Sequence, residues 1–145
     1  MKTLNTVIVL TMAALSATGC TAHARAPEPV PLDRVECARC RMLISTDKGG
    51  GEIVAANQET RFYDDIACLA ADWSAHSDEA TAYVRLTDGA WSEAHDASYA
   101  HPPTAHTAMG SGLTAYATIA EARASDREGR VLSWDEVVKR GGEGR

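Results

Sequence analysis

Tyr63-Asp64-Asp65-Ile66-Ala67 and, 53 residues later, Tyr116-Ala117-Thr118-Ile119-Ala120 are the two stretches that decide how this chain is organised. Each reads as an aromatic residue closing a strand, a capping residue, and an apolar helix start. Asp65 and Thr118 are the caps, because their side-chain oxygens can accept the backbone N–H groups that a first helical turn leaves unpaired. Upstream of the first stretch, Glu52–Ala56 and Thr60–Tyr63 are strand candidates joined by Asn57-Gln58-Glu59, a hairpin-length connection. Downstream, Ile66, Leu69, Ala70 and Trp73 recur at helical spacing, and Thr81–Leu86 alternates apolar and polar as a strand does. Asp88-Gly89 is a turn. Around the second stretch the order returns. Ser98–Ala100 and Leu113–Ala117 are strand candidates, and Thr118 with Glu121 forms a capping box. Gly129 is the expected helix end, Val131-Leu132 a strand, and Ser133-x-x-Glu136 the cap of a short last helix stopping at Gly141-Gly142. The simplest organisation is an α+β fold of two related ββαβ units packed together, at about residues 36–88 and 89–145.

Working outward to the N-terminus, residues 1–19 read as an export signal. Lys2 is the positive start, Val7 to Leu15 the apolar run, and small residues follow. That run is too short to span a membrane as a helix. It ends in Ala17-Thr18-Gly19-Cys20, which resembles a bacterial lipobox with Ala17 where Leu is usual, making Cys20 the candidate lipidation site. Residues 20–35 carry Pro27, Pro29 and Pro31 among small residues and read as an extended tether between anchor and domain. The chain of 145 residues has a net charge of −6. Lys2 is the only charge in residues 1–19, so removing them leaves 13 basic against 20 acidic residues, a net of −7. An acidic surface without blocks of Lys or Arg gives no reason to expect nucleic acid as a partner.

The chemistry lies in Cys37-Ala38-Arg39-Cys40-Arg41-Met42. Two thiols at C-x-x-C spacing can close on one metal ion or on each other. A thioether two residues on favours Cu(I), since thiolate and thioether are soft ligands that hard cations avoid. With Cys20 lipidated, Cys37, Cys40 and Cys68 remain, an odd number in an oxidising compartment, which suggests ligation rather than a pure disulfide framework. Met1 and Met12 leave with the signal, so Met42 and Met109 are the two mature methionines, and neither sits in an apolar run. Cys68 lies roughly 200° around its helix from Ile66, off the buried stripe, facing solvent or a second buried surface. Gly49-Gly50-Gly51 ends the motif loop, where glycine permits backbone shapes other residues resist. The turn-rich segment from His101 to Gly112 joins the units and contains His106 and Met109; His23, His76 and His95 have no ligand-spaced neighbour.

Lipobox, tether, C-x-x-C-x-M, Phe62-Tyr63-Asp64-Asp65-Ile66-x-Cys68 and Met109-Gly110-Ser111-Gly112, in that order, resemble the NosL family of copper-binding lipoproteins associated with nitrous oxide reductase assembly. The resemblance implies a fold of two related ββαβ units and a Cu(I) site on Cys40, Met42 and Met109, with Cys37 available and Cys68 and His106 as further candidates. It departs at two points. Arg41 stands where Gly is usual, and the His that some members carry soon after the Cys-x-Met is absent from Leu43 to Gly51, leaving His106 as a substitute. The expectation is an exported, membrane-anchored metallochaperone facing the periplasm or cell exterior. It would pass Cu(I) to a metalloenzyme or its maturation machinery, with no reaction catalysed. The enzyme alternatives are a thiol–disulfide oxidoreductase on Cys37 and Cys40 and, by fold similarity within the family, an organomercury-cleaving enzyme with Cys68 as a site thiol.

Overall fold

The computed structural model describes residues 25–57, 59–77 and 80–143. The export signal and Cys20 lie outside the described residues. Among those described, no helix is long and apolar enough to cross a membrane.

The first unit is built on β1 (Gly51–Ala55), the inner strand of an antiparallel sheet whose order is β2 (Thr60–Tyr63), β1, β3 (Ala80–Arg85), β4 (Trp91–Glu93). Gly51 pairs with Tyr63 on one side and Val84 on the other. The third strand was expected at Thr81–Leu86 and runs one residue earlier; β4 is an edge strand that the sequence pattern did not announce. A β-carbon on Gly51 would lie 2.4 Å from the Tyr83 carbonyl oxygen and 2.8 Å from Leu69 Cδ2. Glycine is therefore what lets helix α1 (Ile66–His76) sit directly on this strand. In the triplet only Gly49 has the left-handed backbone (φ 74°); Gly50 and Gly51 are needed for room.

α1 begins where the cap predicts. Asp65 is its N-cap, extended at φ −144° and ψ 136°, and accepts the Ala67 N–H at 2.8 Å. Ile66, Leu69 and Ala70 are buried against the sheet, and Trp73 packs edge-on to Trp134 at 6.2 Å between centroids.

In the second unit β5 (Ser98–Ala100) pairs antiparallel with β6 (Thr114–Tyr116) on one side, and Tyr99 pairs with Leu132 on the other. β5 between β6 and residue 132 repeats the neighbour order of β1 between β2 and β3. The boundaries coincide at the 53-residue shift: Tyr63 and Tyr116 end strands, Asp65 and Thr118 are N-caps, and Ile66 and Ile119 start helices. The repeat is unequal. Ile66 is fully buried whereas Ile119 is 58% exposed, and the expected Val131-Leu132 strand is reduced to a single bridge. A parallel bridge between Leu86 and Ala115 joins the two sheets.

Two expected helix ends are corrected. α2 (Ile119–Ser125) stops before Gly129, because Asp126 takes the C-cap and its carboxylate instead turns the chain by accepting the Gly129 N–H at 2.8 Å. α3 (Trp134–Glu143) starts at the Ser133/Glu136 box, as expected, but runs through Gly141 and Gly142. A β-carbon at Gly141 would be 3.1 Å from the Ala71 backbone nitrogen, so that glycine serves close packing of α3 on α1 rather than termination.

Residues 25–35, expected as the end of a flexible tether, are packed on the domain. Arg25 donates to Thr60 Oγ1 at 2.7 Å, the Glu28 N–H donates to Glu52 at 3.1 Å, and Val30 joins the core. The face opposite α1 carries the alternate β1 side chains Glu52 and Val54, both buried. The Pro-rich segment is drawn in because that face needs a cover.

Candidate metal centre

The hexapeptide forms a tight loop closing an antiparallel bridge between Glu36 and Leu43. Inside it the Cys37 N–H donates to the Met42 carbonyl at 2.8 Å, and the Arg41 N–H donates to the Cys37 carbonyl at 3.0 Å. Arg41 takes φ 67°, the left-handed shape that glycine adopts without strain. This chain keeps that shape with Arg. The loop is fixed to the domain by the Ala38 N–H, which donates to the Phe62 carbonyl of β2 at 2.8 Å.

That docking brings the loop to the C-terminal end of β2 and the first turn of α1. Cys37, Cys40, Asp64 and Cys68 converge there, with one ligand atom of each within 4.8 Å of all the others. Cys37 is fully buried, Asp64 and Cys68 are buried, and Cys40 is half-buried. All three thiols are free. The Cys40 thiol faces the Asp64 carboxylate, at 3.5 Å from one oxygen and 3.6 Å from the other. The second buried surface expected for Cys68 is this loop.

The environments set the thiols apart. The Cys37 thiol is lowered from 9.0 to about 6, chiefly by its interaction with the Cys68 thiol; burial opposes this, and backbone N–H groups of Cys40, Asp64 and Arg39 add to the lowering. Cys68 is pushed well up, first because its proton is shared with Cys37 and then by burial. Cys40 is raised, mainly by desolvation. Three thiols converge here, one of them lowered, and make a soft donor set able to hold a thiophilic cation.

The other candidates lie farther out. Met42 and Met109 are 45% and 48% exposed. The Met109 loop is held by Asp65, which is fully buried and accepts from Thr107 Oγ1 at 2.7 Å, Ser111 Oγ at 2.7 Å and the Met109 N–H at 3.1 Å, in addition to capping α1. One Asp-Asp pair therefore serves both places: Asp64 faces Cys40, and Asp65 grips the methionine loop. His106 is outside the thiol group and lines a groove with Asp47, Lys48 and Arg85. The sequence pattern marks Asp65 as the helix cap and gives its neighbour Asp64 no ligand role; the place of Asp64 four residues before Cys68, at a helix start, is the signal for it.

The model of the NosL family matches residues 29–140. The chain belongs to the NosL family. Its fold also matches the crystal structure of the copper chaperone NosL from Shewanella denitrificans, with a TM-score of 0.64, 18% identity, and coverage of 79% of this chain and 95% of that one. At that identity the likeness establishes the fold. No curated protein matches the chain. NosL membership agrees with the order of motifs in the sequence and with a thiol cluster at the loop carrying Cys40 and Met42.

Proposed function

We propose that this NosL-family protein is an exported copper chaperone that carries one Cu(I) ion and delivers it to a partner metalloenzyme, with nitrous oxide reductase assembly as the destination. Anchoring is through Cys20, on the periplasmic or outer side of a membrane. The observation that carries the reading is the convergence of Cys37, Cys40 and Cys68 within 4.8 Å of one another, with Cys40 half-buried. Cys40, Met42 and Met109 are the ligands we assign to the transferred ion, with Cys37 available, since one half-buried thiol and two exposed thioethers let a recipient's ligands enter before the donor's leave.

The oxidoreductase alternative is disfavoured by geometry. In C-x-x-C enzymes an accessible, low-pKa thiolate attacks the substrate, commonly at a helix N-terminus. Here the motif closes a hairpin loop, the lowered thiol Cys37 is fully buried, and the more accessible Cys40 is raised. The organomercury reading gains one supporting feature, a carboxylate, Asp64, in hydrogen-bond contact with the Cys40 thiol beside Cys68.

Titrating the reduced full chain with Cu(I) against a chromophoric Cu(I) chelator tests the proposal. Uptake of one equivalent is expected, weakened at least tenfold, or about 1.4 kcal/mol, by Cys40→Ser. No Cu(I) uptake, together with turnover of a model disulfide or release of benzene from phenylmercury, would replace the chaperone with one of the two enzymes.

A further inference from the structure

The five sulfur-bearing side chains of the domain are graded in burial. Cys37 is 0% and Cys68 7% exposed, Cys40 is half-buried, and Met42 and Met109 are 45% and 48% exposed. In exposure Cys40 stands between the buried thiols and the exposed thioethers. We propose that Cys37, Cys40 and Cys68 form a buried, thiolate-only storage position for the cargo ion, distinct from the exposed set on Cys40, Met42 and Met109 and sharing Cys40 with it. This rests on the Cu(I)-chaperone reading and adds a second position to it.

Dimensions support a single ion on the three thiols. A trigonal site with metal–sulfur bonds of about 2.3 Å needs sulfur atoms about 4 Å apart. The ligand atoms already lie within 4.8 Å of one another, so closing on an ion takes side-chain movements below about 1 Å rather than a refolded loop. Asp64, with hard oxygen donors, is a poor ligand for Cu(I); its carboxylate accepts a hydrogen bond from the Cys40 thiol at 3.5 Å and so orients it. Backbone N–H groups around Cys37 and the start of α1 beside Cys68 offset the negative charge of a tris-thiolate site.

Loading leaves copper as Cu(I): three Cu–S bonds form, and the remaining thiol protons leave to water. In transfer to the outer set the Cu–S bond to Cys40 persists. Bonds to Cys37 and Cys68 break as bonds to the Met42 and Met109 thioethers form, and the two released sulfurs take up protons from water. Exchanging two anionic ligands for two neutral ones weakens the hold, and the ion becomes available to a recipient. Storage and delivery are then alternative positions of one ion, and a stoichiometry of one is retained.

X-ray absorption at the copper edge on the reduced full chain with one equivalent of Cu(I) tests this on the wild-type protein. Three short thiolate-type sulfur neighbours are expected, unchanged in the Met42→Leu/Met109→Leu double variant. In competition titration Cys68→Ser should weaken Cu(I) at least tenfold. The double methionine variant, lacking the outer ligands, should release Cu(I) to a small-molecule chelator at least tenfold more slowly than wild type. A single thiolate with thioether neighbours in the wild type, or wild-type affinity in Cys68→Ser, overturns the storage position while leaving the chaperone reading in place. Failure of the wild-type chain to take up Cu(I) overturns both.

Discussion

Single residues carry conflicts that can be measured. Arg41 holds φ 67°, which costs a non-glycine residue roughly 1–2 kcal/mol, against an exposed ion pair to Glu36 at 3.0 Å that returns at most about 1. Arg41→Gly should therefore match or exceed wild-type stability in urea, whereas Arg41→Val should lose at least about 1 kcal/mol because a β-branched residue resists that backbone most. Equal loss in both would mean the ion pair, not the backbone, sets the balance. Glu52 is fully buried, with one carboxylate oxygen accepting the Glu28 N–H and the other unpaired. Burial raises its pKa from 4.5 to about 7, so the folded state binds a proton more tightly than the unfolded state does. Stability from this group is thus full below pH 4.5 and is lost as pH rises through 7, by about 3 kcal/mol across the window. Glu52→Gln keeps the acceptor for Glu28 and removes the charge. The downward slope of unfolding free energy between pH 5 and 7 should be shallower in this variant, and an unchanged slope would place its origin elsewhere.

At the scale of elements, the N-terminus of α1 is where the two halves of the site are tied. Asp65 caps the helix and also satisfies two hydroxyls and one N–H of the Met109 loop. Loss of a cap alone costs about 1 kcal/mol, and each buried partner left unmatched adds to it. Asp65→Ala should destabilise the domain by about 2–4 kcal/mol, with Asp65→Asn intermediate because it can still cap. Hydrogen exchange gives the sharper check. The Met109 and Gly112 amides should lose protection in Asp65→Ala well before those of β1 do, since β1 is held by strands on both sides. Simultaneous loss would show that the loop and the sheet open as one.

For the whole molecule, the described chain is a unit wrapped by its own N-terminal segment, with the thiol cluster near the junction of loop 36–43, β2 and α1. Because residues 25–35 are docked, the span left between Cys20 and the folded body is short, and a lipid on Cys20 would hold the domain close to the membrane surface. Cys20→Ala should shift the protein from the membrane fraction to the soluble periplasmic fraction, or block its processing. A wild-type protein recovered wholly in the soluble fraction would refute the anchor.

Local interactions were legible in the sequence. Asp65, Thr118 and Ser133 announce helix starts because a cap acts on N–H groups two or three residues away, and alternation announces strands because side chains switch faces at every residue. Cys37 and Cys40 declare themselves by spacing for the same reason. Helix ends were less legible, since Gly129 and Gly141 have roles set by neighbours rather than by termination. Tertiary structure alone decided that Asp64 meets Cys40 across 24 residues, that Cys68 turns toward Cys37, and that Asp65 reaches Thr107 and Ser111 across 42 and 46. It also decided that the Pro-rich segment lies on Glu52 rather than free in solvent. Such meetings depend on which strands pair and which sheet face lacks a cover, and side-chain periodicity, which is the same for every helix or strand, does not specify which distant partner an element will find.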